Sequence, residues 1–276
     1  MAGSINSVNT NEGAFRALSS TRTQSAALQQ AQKRLQTGLK VADAADDAST
    51  FAVAQGLRGD LQAFGAVQSS LANGAGLGAV TQAAIGQVSD LSNQLQQKLT
   101  QLSDGSISSA QRTIYSADVQ ALTSQIQSTI GQAGFNGQNL LQAGATGTSF
   151  LASTDGGAIG VSGQGQVGTG AATLAGAIDT TSAANAQASL SALQSFQQTL
   201  GQAAASNAAD TRSLVQQSNL NNSVSDAITV GLGAQVDADI GAAAAQSSAR
   251  QVGRQLAFSS LSVANSQPSA LLGLTR

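Results

Sequence analysis

The sequence predicts a mainly α protein, an elongated rod of long helices that is helical at both ends of the chain and has a small β-hairpin region in its middle. Three observations lead there. Aromatic residues make up only 3% of the 276, so the large side chains that fill a thick core are scarce. The apolar fraction of 41% is largely Ala, accompanied by Gln, Ser, Thr, Asn and Gly. Ala and Gln are good helix formers, and small side chains can close a narrow seam between helices. Finally, apolar residues recur at helical spacing in both terminal thirds, while the middle is rich in Gly, Ser and Thr.

The first element spans Ala14 to Val41, where Leu28, Ala31, Leu35 and Leu39 step by three, four and four along one helix face. Gly38 and the trio Asp43, Asp46 and Asp47 interrupt it. Metal ligation would need further carboxylates or a carbonyl-rich loop at regular spacing, which do not follow. Capping of a helix start, where free N–H groups and the dipole favour Asp, is the better reading.

A second helical pattern then runs through Leu57, Leu61, Phe64 and Leu71 and on through Ile85, Val88, Leu91, Leu95, Leu99 and Leu102. Between its halves lies ANGAGLG, Ala72 to Gly78, whose glycines each cost a helix up to about 1 kcal/mol. Propensity alone breaks the helix there. The stretch is not a phosphate-binding loop, because neither G-x-G-x-x-G nor a following Lys-Ser/Thr is present.

After a turn at Asp104-Gly105, Ser108 and Gln111 form a capping-box pattern that opens a third helix with Ile114, Leu122, Ile126 and Ile130 on one face. FNGQNLL, Phe135 to Leu141, begins the Gly-rich middle. There, two short apolar runs flank Asp155-Gly156-Gly157 as in a hairpin. Helical spacing resumes with Leu190, Leu193, Phe196 and Leu200 and continues through Leu214 and Val224. The last pattern holds Val236, Ile240, Val252, Leu256 and Val263 and is expected to stop near Pro268.

Length turns these elements into a rod. A single helix from Ala44 to Ser103 would be about 90 Å long, whereas a compact body of this chain length is only about 50 Å across. Amphipathic ends on a rod leave apolar stripes uncovered unless the termini pack on one another and on other copies. The residues expected at such a polymerisation seam are Leu28, Leu35, Leu39, Val252, Leu256, Leu261, Val263, Leu271, Leu272 and Leu274.

Charge and composition exclude several classes. A net charge of −2 with no basic domain gives no basis for nucleic-acid binding. Arg16, Arg22, Lys33, Arg34 and Lys40 read as a solvated helix face rather than a membrane-surface helix. No stretch of about 18 apolar residues suits a membrane span. The start MAGSINSVNT has neither the basic nor the apolar region of a signal peptide, so no membrane insertion is expected, and if the chain is exported it does not use a classical signal peptide. With no His and no Cys, an enzyme would depend on clustered Asp, Lys or Tyr, and Asp43, Asp46 and Asp47 are the only cluster. Catalytic, cofactor-binding and metal-ligating residues are therefore assigned to none.

MAGSINSVNT, QKRLQTGLKVADAADDASTFAVAQGL (Gln32 to Leu57), FNGQNLL, and VDADIGAAAAQSSARQVGRQLAFSSLSVANSQPSALLGL (Val236 to Leu274) together resemble bacterial flagellin in order and in distance from the ends. The resemblance implies a mainly α fold, an elongated rod of long antiparallel helices with terminal coiled-coil helices and a small central β-hairpin region. It implies an inner coiled-coil domain of residues 1–43 with 236–276 and a rod domain of 44–235. The rod domain's expected helices are about 44–103, 108–132 and 182–230, with the hairpin region at about 135–178. It also implies that ANGAGLG lies inside one continuous helix, contrary to propensity. Only about 40 residues occupy the place of large outer domains, as in a short-form flagellin.

The function so implied is that of a structural subunit that self-assembles into the extracellular flagellar filament for swimming, with a hook–filament junction protein as the alternative. Partners implied are further copies of the chain, other flagellins, the flagellar type III export apparatus, an export chaperone, the filament cap and the hook-junction proteins. Ser and Thr around Thr146–Ser162 and Thr180–Ser182 are O-glycan acceptors by the same resemblance. Ala45 stands where the family commonly has a basic residue, and the ending at Arg276 departs from the family's usual apolar or Gln terminus. In the family, the vertebrate innate-immune receptor grips the long rod helix through paired Arg and a Glu. Here the matching stretch, Ser89 to Leu102, carries Gln94, Gln96 and Gln97, which makes it a degenerate receptor face.

Overall fold

A computed structural model describes residues 10–274, with side chains through Ser266. It is mainly α, with six helices and one two-stranded sheet among the described residues: α1 (Glu12–Thr37), α2 (Ala48–Leu102), α3 (Ser109–Gln132), β1 (Thr148–Leu151), β2 (Ala158–Val161), α4 (Gly165–Ala177), α5 (Ala183–Val236) and α6 (Ile240–Leu274). The chain divides into two compact units. Unit 1 comprises the chain up to Gly59 and from Ala227 onward, and unit 2 comprises Asp60–Asp226.

In unit 1, α1 starts where the Asn11 side chain accepts the Ala14 N–H and ends where Gly38 takes a left-handed conformation at φ 72°, with its N–H on the Arg34 carbonyl. The helix lies antiparallel to α6. Asn11 Nδ2 donates to the Ala264 carbonyl at 2.6 Å, and Arg250 donates to Gln24 Oε1 at 3.3 Å. Near the far end of the pair, Lys40 N–H bonds the Val236 carbonyl and Ala238 N–H the Gly38 carbonyl. The sequence pattern carried Val236 and Ile240 in one helix. Instead α5 ends at Val236, and Asp239 caps α6 through the Ala242 N–H. The expected stop near Pro268 does not occur, since α6 runs on to Leu274. One missing amide donor weakens a helix but does not always end it.

In unit 2, α2 passes through ANGAGLG unbroken. The reason is close approach. A Cβ at Gly74 would meet the Phe150 ring at 2.8 Å and Leu214 at 3.1 Å, one at Gly76 the Phe135 ring at 3.0 Å, and one at Gly78 the Thr211 hydroxyl. Side chains from the hairpin, the FNG segment and α5 thus reach the helix backbone itself, and their packing outweighs the propensity of three glycines. Val67, Leu71, Leu77, Leu140, Val161 and Leu214 form the core there. A larger cluster along Val88, Leu95, Leu99, Ile126, Leu193 and Phe196 unites α2, α3 and α5.

Two buried asparagines clamp α5 to α2. Asn207 Nδ2 donates to the Gly78 carbonyl and Gln82 Oε1, and Asn221 Nδ2 does the same to Phe64 and Gln68, fourteen residues away on both helices. The repeat of two heptads is the period of an antiparallel coiled-coil seam.

The capping box of α3 forms as its pattern predicts, Ser108 Oγ accepting from Gln111 N and Ser108 N donating to Gln111 Oε1. Strands β1 and β2 pair antiparallel, Thr148 opposite Val161 and Leu151 opposite Ala158, around a turn with Gly156 at φ 88°. One element departs from the expected layout, because α4 occupies residues 165–177, which the sequence pattern left in the hairpin region. Its Val167, Ala171 and Leu174 are buried, while Gly165 and Gly168 press on backbone atoms of 141–145. These glycines mark close contact between backbones, which composition alone reads as loop.

Candidate functional site

No cluster of three His, Cys, Asp or Glu side chains fit to hold a metal exists among the described residues, and no described helix is long and apolar enough to cross a membrane. The surface of interest is therefore the α1–α6 pair of unit 1.

On α1 the buried residues are Ala17, Thr21, Leu28 and Ala31, with steps of four, seven and three, the spacing of a heptad seam. Among the α6 residues whose side chains are described, Ala243, Ser247 and Ala257 are buried. Small side chains let the two helices approach closely. The sequence reading found Leu28 and Ala31 in this seam but missed Ala17, Thr21, Ala243 and Ser247, because Ala, Ser and Thr give little hydropathy contrast.

The opposite face of α6 is apolar too. Val252 is 56% exposed, Leu256 65% and Val263 63%. At 100° per residue these three fall within about 40° of one another, and their mean direction is about 120–160° from Ala243, Ser247 and Ala257. Phe15 on α1 and Ile240 and Phe258 on α6 are exposed as well. The ten expected seam residues thus divide. Leu28 is buried between α1 and α6, Leu35 and Leu261 are half-buried, and Leu39 packs with Val41, Ala54 and Val236. Val252, Leu256 and Val263 face outward, and the side chains of Leu271, Leu272 and Leu274 lie outside the described residues.

The turn between α1 and α2 is held by charge. Asp47 accepts the Ser49 and Thr50 N–H groups at the start of α2, the capping role expected of the acidic trio. Asp43 and Asp46 do something else: Lys33 Nζ lies 2.7 Å from a carboxylate oxygen of each, and Asp46 also accepts the Ala42 N–H. Lys33 holds the Asp43 carboxyl below its ordinary value, and holds Asp46 down together with the Ala42 N–H. Asp43 and then Asp46 push the Lys33 ammonium up. Sequence reasoning placed Lys33 on a solvated face, since no local spacing rule links a lysine to carboxylates ten and thirteen residues away. Beside this turn is an open recess of about 500 Å³ lined by Arg34, Lys40, Val41, Asp46, Asp47 and Thr50.

In unit 2, Gln94, Gln96 and Gln97 are all exposed on α2. Gln96 Oε1 accepts a 3.1 Å bond from Gln197 of α5, so one of the three is partly engaged within the unit.

A small-residue seam on one side of a helix and an apolar stripe on the other define a protein with a surface suited to helix-to-helix association. Comparison with known proteins identifies which one. Residues 8–146 match the model of the bacterial flagellin N-terminal helical region. Over 99% of both chains, the protein is 31% identical to flagellin FljO and 30% identical to flagellin FljM of Caulobacter vibrioides. It is 29% identical to the flagellin of Brucella melitensis, over 98% of this chain and 99% of that one. The chain belongs to the bacterial flagellin family. It is a structural subunit of the flagellar filament, and the match along nearly the whole length favours that role over a hook-junction protein.

Proposed function

We propose that the filament grows by burial of the outward face of α6, with Val252, Leu256 and Val263 at its centre, against neighbouring copies. The observation carrying this reading is that α6 is apolar on two opposite sides and α1 covers only one. Leu28, Leu35, Leu39 and Leu261 then belong to the pairing that presents the face. In this reading residues 1–43 and 236–276 form the inner domain and 44–235 the rod domain. Replacing Leu256 by Asp puts a charge where apolar packing is required. Sedimentation and electron microscopy should find monomers with wild-type helix content, and normal filaments from the variant would refute the assignment.

The subunit reaches the cell exterior through the flagellar export apparatus with an export chaperone, and it meets the cap and junction proteins during growth. Other flagellins are its further assembly partners. The family relationship supports these steps, and its structural character supports a role without catalysis. Gln94, Gln96 and Gln97 make α2 a weak ligand for the innate-immune receptor. Gln lacks the charge-assisted, bidentate contacts of Arg, worth about 1.5–3 kcal/mol each, so two lost contacts lower affinity roughly a hundredfold or more. A reporter-cell titration of the monomer against Gln94→Arg/Gln96→Arg/Gln97→Glu checks this, and potent signalling by the unaltered chain would contradict it.

A further inference from the structure

The sequence contains two Asn-Gly pairs, Asn73-Gly74 and Asn136-Gly137, and the fold treats them in opposite ways. Both asparagines are exposed, so solvent access does not distinguish them. Asn73 and Gly74 lie inside α2, where the Gly74 amide is bonded within the helix and the residue is packed against Phe150 and Leu214. Asn136 and Gly137 are the two central residues of a tight turn closed by reciprocal Phe135 and Gln138 bonds of 2.8 and 2.9 Å. Both have positive φ, 49° and 78°, the conformation of a two-residue hairpin turn. Among the described residues nothing stands within 4 Å of where a Gly137 Cβ would be, and no hydrogen bond engages its amide.

We propose that Asn136 is a site of spontaneous, structure-selected deamidation. The Gly137 backbone nitrogen, having lost its proton, attacks the Asn136 side-chain carbonyl carbon. A new N–C bond closes a five-membered imide and the side-chain nitrogen departs as ammonia. Water then opens the imide at either carbonyl, leaving Asp or the β-linked isoaspartyl form at 136. No oxidant, metal or enzyme is needed.

Gly137 favours the attack because it has no side chain to block the approach and its amide has no partner to give up. Gly74 fails on the second count, since reaction there requires opening a turn of α2. The isoaspartyl product carries a new negative charge and one extra backbone carbon, which moves the Phe135 and Gln138 groups out of register. Phe135 is the ring seated on Gly76 of α2, so the product loosens one of the contacts that hold the glycine-rich stretch.

The experiment is peptide mapping of the folded full chain held at mildly alkaline pH, sampled over days. Trypsin separates the two sites, placing Asn73 in the peptide ending at Lys98 and Asn136 in the peptide ending at Arg212. Conversion of amide to acid should accumulate at Asn136, with paired Asp and isoaspartyl peaks, while Asn73 stays intact. In concentrated urea both sites should convert, which shows that the fold sets the difference. Gly137→Ala in the folded chain should slow the reaction at 136. An unchanged Asn136, or an Asn73 that converts as fast in the folded protein, would overturn the proposal.

Discussion

Lys33 Nζ, 2.7 Å from both Asp43 and Asp46, makes the turn of unit 1 sensitive to both acid and alkali. Asp43 and Asp46 are held below the ordinary aspartate value of 3.8, chiefly by the Lys33 ammonium, and Asp47 is held below it by the Thr50 N–H and hydroxyl. A depressed carboxyl contributes stability that is present above its unfolded value and lost as pH falls through its folded one. Lys33, raised above 10.5, contributes fully below that value and loses its contribution as pH climbs through the folded value. Amide protection of residues 42–52 should therefore hold between pH about 4 and 10 and decline outside that window. Hydrogen exchange at stepped pH measures it, and Lys33→Met should narrow the acid margin. The groups are partly exposed, so salt should weaken the effect.

Among the helices, the glycines of α2 divide into two kinds that sequence cannot separate. Gly74 and Gly76 sit under aromatic rings, whereas Gly65 and Gly86 have nothing within 4 Å of a would-be Cβ. Gly74→Ala should destabilise unit 2 by about 1–3 kcal/mol, because the Phe150 ring and Leu214 must move. Gly86→Ala should raise stability by up to about 1 kcal/mol through helix propensity. Urea melts of the two variants give the contrast directly.

This difference marks where the sequence was informative. Large apolar residues at three-four spacing located α2, α3 and α5, and Ser108 with Gln111 located a helix start. What stayed hidden was carried by small residues and by partners distant in sequence. Neither the seam made of Ala17, Thr21, Ala243 and Ser247 nor the glycines of α4 present any local hydropathy signal. Of the candidate assembly surface, the apolar residues were legible. Their division between an inner seam and an outer stripe depends on which side of α6 meets α1, and that is a tertiary fact.

At the scale of the whole chain, unit 1 is assembled from both ends of the sequence and unit 2 from the middle. Both hydrophobic clusters of unit 2 lie inside its own residues. A chain truncated after Val236 should therefore keep the amide protection of unit 2 and lose that of α1, whose partner is α6. Protection of residues 12–37 that survives the truncation would show α1 stable by itself.

The Asn11–Ala264 bond spans 253 residues, and this separation orders events in time. Contacts between distant positions form late, because the loop that brings them together costs entropy before any packing compensates for it. During synthesis α1 therefore has no companion until α6 has been made. The α1–α6 seam is thus completed only once synthesis is nearly finished, after the helices of unit 2 have already been made.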